Sequence, residues 1–315
     1  MSFRYVNPGY AELQTGQYNY RNLTSYDSNN SKTGVSIYKN TTYSYGGVLC
    51  EISNLINEIY ARFDIFYNTT SREVYFRIGP NLTISNYIKF QKSQRGNSNI
   101  SVICYLNGKQ LDIRYILSEE KFSVWLHIRL KDETDGIFEY IMNGGSKYSF
   151  SHSYTTFQYN STAEKNIAML DNYQGSDDIF FSNIIISDEY ISPKEEVIIL
   201  PTSTISTDMT DNQDGTFTAD ETNQQLLMTV DASTLISQYG RSSKVTSIAA
   251  GGIPAYKTAE GLSNLIGIDK ISGNISEHNS VALSSISTLG AFDCWKTNLT
   301  LGELNGKQIG LKAAT

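Results

Sequence analysis

Through residues 58–200 apolar and polar positions alternate with a period of two, broken repeatedly by short polar stretches. In "EIYARFDIFY" the residues Ile59, Ala61, Phe63, Ile65 and Tyr67 share one face; after "NTTS", the stretch "REVYFRIG" places Val74, Phe76 and Ile78 together. Such alternation marks a strand with one buried face, and the two runs with a polar turn between them predict a hairpin. "NISVICYLNGKQLDIRYIL" repeats the pattern, with Ile100, Val102, Cys104 and Leu106 before an Asn107-Gly108 step and Leu111, Ile113 and Tyr115 after it. Asn-Gly predicts a two-residue hairpin turn, because both central residues of a type I′ turn need positive φ.

"KFSVWLHIRL" alternates strictly, with Phe122, Val124, Leu126, Ile128 and Leu130 on one side and Ser123, Trp125, His127 and Arg129 on the other. "GIFEYIM" is its expected partner, and the Asp-Gly step in the intervening "KDETDG" signals a turn. The carboxylates of Glu133, Asp135 and Glu139 fall within seven residues of one another in this stretch. Retaining glycoside hydrolysis needs two carboxyl groups about 5 to 5.5 Å apart. Here the turn holds Glu133 and Asp135 while Glu139 falls on the returning strand, so no shared strand face is expected for them. "SDDIFFSNIIISDEYIS" predicts a further strong strand, after which apolar density falls and Ser, Thr and Asp rise. A domain boundary is expected there, dividing the chain into residues 1–203 and 204–315.

The second part has a different texture. "TFTADETNQQLLMTVD" predicts strands, and "DASTLISQYG" a short helix with Asp231 as N-cap and Gly240 as its stop. Strands follow in "SKVTSIAAGG" and "SVALSSI". "AFDCWKTNLTLGELNGKQIGLKA" predicts a strand, a helical turn at residues 301–304 and a closing strand.

Composition agrees with an all-β chain: 22 Tyr and 13 Phe suit half-buried pleated surfaces, and 23 Gly against 5 Pro supply turns without stiffening them. At 315 residues there is room for two cores. A net charge of −7, a pI near 5.1 and no long basic run speak against nucleic-acid binding. No apolar run reaches the ~18 residues of a membrane span, and the N-terminal stretch has neither the basic nor the apolar region of a signal peptide. Cys50, Cys104 and Cys294 are too scattered for a disulfide framework or a zinc motif and are expected to be buried or incidental thiols.

Candidate chemistry is sparse. The nucleophile-elbow, Walker A, dinucleotide-binding and His-Glu-x-x-His patterns are all missing from the sequence. His127, His152 and His278 lie far apart, and no catalytic residue is expected. In "TDNQDGTFTADE" the residues Asn212, Asp214, Gly215 and Glu221 occupy calcium-loop positions, although Thr210 stands where the first Asp belongs. This makes Asn212, Asp214 and Glu221 a candidate Ca2+ set, with a solvated β-turn as the simpler reading. Carbohydrate binding needs aromatic platforms beside hydrogen-bonding side chains. Tyr43, Tyr45, Trp125, Tyr154 and Tyr159, set among Asn, Ser and Thr, are the candidates, and packing is the alternative role for each.

The order "IYARFDIFYNTTSREVYFRIG", "NGKQLDIRYIL", "KFSVWLHIRLKDETDGIFEYIMNGG", "DDIFFSNIIISDE" resembles a concanavalin A-like (LamG-like) jelly-roll domain across residues 1–200. The resemblance implies an N-terminal β-sandwich followed by a smaller β-rich domain with short helices. It transfers no catalytic residue, because hydrolytic members carry their carboxylates on an uninterrupted strand. The later segment, with its acidic turn at residues 211–215 and its closing stretch at 301–312, resembles modules appended to such domains in phage and prophage virion proteins.

That second resemblance implies a non-enzymatic structural or adhesive tail, fibre or decoration protein, made in the bacterial cytoplasm and located in the virion. Its partners would be other virion proteins and host surface glycan. Homo-oligomerisation, as a trimer, is what the class implies, although no coiled-coil heptads occur. The alternatives are a free carbohydrate-binding module or a glycan hydrolase or lyase using Glu133, Asp135 or Glu139.

Overall fold

The computed structural model describes residues 4–7, 25–26, 38–40, 46–53, 58–67, 72–79, 87–95, 99–106, 109–117, 122–129, 136–152, 165–172, 179–198, 202–214, 216–250, 262–282 and 293–315. The chain divides into two units, Met1–Ile198 and Ile199–Thr315.

The first unit runs in chain order through β1 (Arg4–Asn7), β2 (Ser25–Tyr26), β3 (Tyr38–Asn40), β4 (Gly46–Ser53), β5 (Glu58–Tyr67), β6 (Arg72–Gly79) and β7 (Tyr87–Arg95). There follow β8 (Asn99–Leu106), β9 (Lys109–Leu117), β10 (Phe122–Arg129), β11 (Gly136–Met142), β12 (Tyr148–His152), β13 (Lys165–Asn172) and β14 (Ile179–Ser187). They build two antiparallel sheets. One has the order β12-β11-β10-β5-β14-β3-β2 with β1 also on β14; the other has the order β4-β13-β6-β7-β8-β9.

The core lies between the two sheets. Ile59, Ala61, Phe63 and Ile65 of β5 share a face with Phe122, Val124, Leu126 and Ile128 of β10, all fully buried. From the other sheet, Val74 and Phe76 of β6 and Ile88 and Phe90 of β7 meet them. Phe63 stacks on Phe76 at 6.0 Å between centroids and meets Phe90 edge-on at 6.1 Å. Burying each such ring contributes roughly 1.5–3 kcal/mol.

One expected pairing is corrected. β5 and β6 do not form a hairpin: β5 pairs with β10 and β14, whereas β6 pairs with β7 and β13. The chain passes from one sheet to the other between Tyr67 and Arg72. Alternation specifies that each strand has one buried face, and a face buried against the opposite sheet gives the same pattern as one shared with a sequence neighbour. The β8–β9 hairpin and the β10–β11 pair are as expected. Asn143 and Gly144, at φ 48° and 66°, form the tight turn that returns β11 into β12.

The second unit contains β15 (Thr202–Thr207), β16 (Thr210–Asp211), β17 (Phe217–Thr218), β18 (Gln225–Val230), α1 (Ser233–Tyr239), β19 (Lys244–Ala250), β20 (Asn264–Asp269), β21 (Ser276–Ala282), β22 (Asp293–Thr300), α2 (Leu301–Leu304) and β23 (Gln308–Ala314). Five strands form the sheet β15-β18-β23-β20-β21; β16 and β17 form a separate hairpin, and β19 and β22, distant in the chain, form a separate antiparallel pair. Asp231 is not the N-cap of α1: Ala232 holds that place, and the Asp231 carboxylate accepts from the Ser233 N–H at 2.9 Å. Gly240 ends the helix at φ 87°. α2 opens with a capping box, in which Thr300 accepts from the Glu303 N–H and Glu303 from the Thr300 N–H. His278 of β21 stacks on Trp295 of β22 at 4.2 Å and pairs with the buried Asp269 at 2.6 Å. Both domains are therefore all-β, the second with two short helices.

Candidate functional site

The alternation that fills the core of the first unit sends the opposite residues of β5 and β10 to the outer face of the larger sheet. Registers align them in rows. Ser187, Tyr60, His127, Glu139 and Ser149 lie side by side across β14, β5, β10, β11 and β12, and Glu58 faces Arg129 in the next row.

The Tyr60 and His127 rings stack 4.3 Å apart at 3°. His127 Nδ1 is 2.9 Å from Glu139 Oε2, and facing a carboxylate it carries the proton and donates. Its other nitrogen, Nε2, is buried without a hydrogen bond, 3.5 Å from Glu58 Oε2. Glu58 also accepts from the Tyr60 hydroxyl at 3.2 Å and from Arg129 Nε at 2.9 Å. Glu139 accepts from Lys147 Nζ at 3.0 Å. The Asn143-Gly144 turn brings Lys147 back over its partner.

Charge states follow from these contacts. Burial pulls the Glu58 carboxyl upward, but the Arg129 hydrogen bond and the charge of His127 outweigh it and hold the group below the ordinary carboxylate range. Glu139 behaves alike: burial raises it, and the hydrogen bonds from His127 and Lys147 bring it below the ordinary value. The Tyr60 phenol is pushed up to about 12, first by burial and then by the Glu58 charge.

Part of this outer face is covered by the residues that follow β14. Asn183 makes that possible. It sits in a β-bulge between Ser182 and Ile185 at φ 57°, fully buried, a conformation Asn tolerates better than most residues. Its side chain donates to Asp64 Oδ2 at 3.1 Å and accepts from the Val197 N–H. Beside it, Arg62 pairs with Asp64 at 2.5 Å. Farther along, the Trp125 indole N–H donates to the Ile191 carbonyl at 2.7 Å. Tyr190 is left 64% exposed, its ring edge-on to Tyr60 at 5.8 Å and to Trp125 at 6.4 Å.

Of the expected glycan-contacting residues, Trp125 is only 4% exposed and supports Tyr190 instead of offering a free face. Tyr43, Tyr45, Tyr154 and Tyr159 lie outside the described residues, as do Glu133 and Asp135. Glu139 is on β11, held by His127 and Lys147. Tyr60, His127 and Tyr190 were not singled out from sequence. The available signal was the row of Glu58, Tyr60, Arg62 and Asp64, too polar for a core and opposite the apolar face of the same strand.

Of the expected calcium set in the second unit, Asn212 and Asp214 lie in the turn between β16 and β17, and Glu221 follows β17. Asp214 Oδ1 accepts from the Thr216 N–H at 2.9 Å and its hydroxyl at 2.6 Å, bonds that hold this exposed carboxyl below its ordinary range. Asn212 turns its amide N–H groups to the Thr216 and Thr218 hydroxyls. Among the described residues no three carboxylate, imidazole or thiol side chains stand together as metal ligands. These contacts form a self-bonded Asx turn, with Gln213 at φ 60°. Among the described residues no helix is long and apolar enough to cross a membrane.

No protein-family model matches the chain, and no curated protein does. Solved structures similar to it include a lectin from Bauhinia forficata in complex with GalNAc, at 9% identity over 59% of this chain and 98% of that one, with a TM-score of 0.33. An endo-β-1,4-glucuronan lyase from the fungus Trichoderma reesei is 10% identical over 58% and 94%, with a TM-score of 0.36. The alginate lyase Aly36B is 14% identical over 48% and 73%, with a TM-score of 0.31. The sandwich assignment rests on the strand order and shared core of the first unit.

Proposed function

We propose that the first unit is a carbohydrate-binding domain whose ligand lies on the outer face of the larger sheet, against Tyr190 and Tyr60. One observation carries this reading: an aromatic ring 64% exposed, braced edge-on by two other rings, stands beside the Glu58–His127–Glu139 network. Sugars present C–H faces to aromatic rings and hydroxyls to polar groups, and a braced ring with adjacent acceptors offers both.

Chemistry at the same atoms favours binding over catalysis. A general acid needs a carboxyl raised towards neutrality, and Glu58 and Glu139 are held low. A tyrosine base needs a lowered phenol, and Tyr60 is pushed up to about 12. Isothermal titration of the full chain against oligosaccharides identified on a glycan array tests the reading. Tyr190→Ala is expected to weaken binding at least about tenfold with little change in thermal midpoint. Unchanged affinity in Tyr190→Ala, or no glycan binding by the wild-type chain, overturns it.

A second reading concerns where this domain works. The resemblance of the C-terminal segment to phage and prophage modules supports placement in a virion, with other virion proteins as partners and a homo-oligomer as the working form. Proteomics of purified particles tests it, a fixed copy number being the expected result and absence from particles the refuting one.

A further inference from the structure

Resting on the carbohydrate-binding reading, we infer that the site takes several consecutive sugars of a straight glycan laid across the strands, from Tyr190 over β5 to Ser149 on β12, and not a single terminal sugar. The shape of the accessible surface carries this. Outward-facing residues of the larger sheet fall into rows that cross the strands, and the rows differ in exposure. Ile185, Arg62 and Trp125, opposite one another on β14, β5 and β10, are all buried. The segment after β14 is fastened over this row by the Trp125–Ile191 and Asn183–Val197 bonds.

One row nearer the start of β5 the face opens. Tyr60, Glu139 and Ser149 stand in that row on β5, β11 and β12, with His127 packed against the Tyr60 ring between them. Beyond it lie Glu58 and Arg129, each about a third exposed. There the strands stop, since β5 begins at Glu58 and β10 ends at Arg129. Roofed on one side and ended on the other, the accessible strip is two rows deep along the strands, with the rows ~7 Å apart. Across the strands it runs from β5 over β10 and β11 to β12, three strand spacings or ~14 Å. That is longer than one sugar ring can cover.

Each strand offers the strip a group that can bond a hydroxyl: Glu58 on β5, Arg129 on β10, Glu139 on β11 and Ser149 on β12. An extended β-1,4-linked chain advances by about one strand spacing, ~5 Å, per sugar. Successive sugars therefore meet successive strands. Tyr190 supplies a stacking face at one end, and Lys147, with a side chain 53% exposed, stands over Glu139 towards the other. A single sugar stacked on Tyr190 would leave the groups on β11 and β12 unused.

The test is calorimetric titration of the full chain with β-1,4-linked glucose, mannose and N-acetylglucosamine oligomers, each graded from monosaccharide to hexasaccharide. Affinity is expected to rise at least about tenfold between the monosaccharide and the trisaccharide and to level off once the strip is filled. Lys147→Ala should weaken the longest oligomers at least about threefold and leave the monosaccharide unchanged, whereas Tyr190→Ala should weaken every length. A monosaccharide bound as tightly as the hexasaccharide, or equal losses at all lengths in Lys147→Ala, overturns the inference while the carbohydrate-binding reading stands. Absence of binding to all three series also overturns the inference, and absence of binding on a glycan array as well overturns the reading beneath it. The length series on the wild-type chain decides alone if Lys147→Ala fails to fold.

Discussion

Tyr60 and His127 come from neighbouring strands, sit directly opposite each other in register, and stack with their rings 3° from parallel. The stack fixes the imidazole plane, and that plane aims Nδ1 at Glu139. His127→Ala therefore removes both the ring that supports Tyr60 and the donor that holds Glu139. It should cost about 2–3 kcal/mol in denaturant unfolding of the full chain, whereas His127→Asn, which keeps a donor, should recover part of the loss. Equal stability of wild type and His127→Ala would show that the stack is incidental.

Acid should weaken the first unit through the same network. Glu58 and Glu139 have folded values below their unfolded ones, so their contribution is complete above the ordinary carboxylate range and is lost as pH falls through the depressed folded values. Thermal midpoints measured from pH 6 to pH 2.5 should fall less steeply in Glu58→Gln/Glu139→Gln than in the wild-type chain. Parallel curves would refute the assignment.

Tyr60 gives the opposite limb. A folded value near 12 against an ordinary value of 10 means that its contribution is present below pH 10 and disappears as pH rises through about 12. The difference in phenolate absorbance between wild type and Tyr60→Phe should show one group ionising near pH 12. A group ionising near 10 would mean that Tyr60 is neither buried nor close to the Glu58 charge.

Asn183 separates backbone from side-chain effects. Asn183→Gly loses the bonds to Asp64 and Val197 but accepts φ 57°, at an expected cost of about 2 kcal/mol. Asn183→Ala loses the same bonds and also strains the backbone, adding about 1 kcal/mol. Chemical denaturation of the two variants should rank them in that order, and the reverse order would exclude the bulge as the reason for the residue.

Gly310 in β23 is a different constraint. A Cβ there would stand 1.8 Å from the Leu226 carbonyl oxygen on β18, a backbone atom that cannot swing aside. Gly310→Ala should destabilise the second unit by about 3 kcal/mol, read as loss of its hydrogen-exchange protection while the first unit keeps its own. Unaltered protection in β18 and β23 would show that the strands have room.

Alternation in 58–67 and 122–130 made the strands and their buried faces legible, and Asn107-Gly108 made one hairpin legible, because each signal is local. The sheet to which β6 belongs was not legible, since Phe76 is buried equally by a neighbouring strand or by Phe63 across the core. The site was half visible. Trp125 and His127 could be placed on the outer face, but their roles depend on Tyr60, Glu139 and Ile191, which lie 65, 14 and 66 residues from Trp125 in the chain. No local pattern could tell that Trp125 would be roofed over while Tyr190, in an unremarkable "DEYIS", would be left standing.

The eleven residues after β14 add no strand to the sandwich, yet they carry Tyr190, the carbonyl that anchors Trp125 and the amide that satisfies Asn183. A domain boundary drawn at Ser187 would retain every strand of both sheets and discard the exposed Tyr190 ring. On the carbohydrate-binding proposal such a fragment would pass a circular-dichroism check and fail a binding assay, so a glycan screen on a domain trimmed at Ser187 would report where the chain was cut.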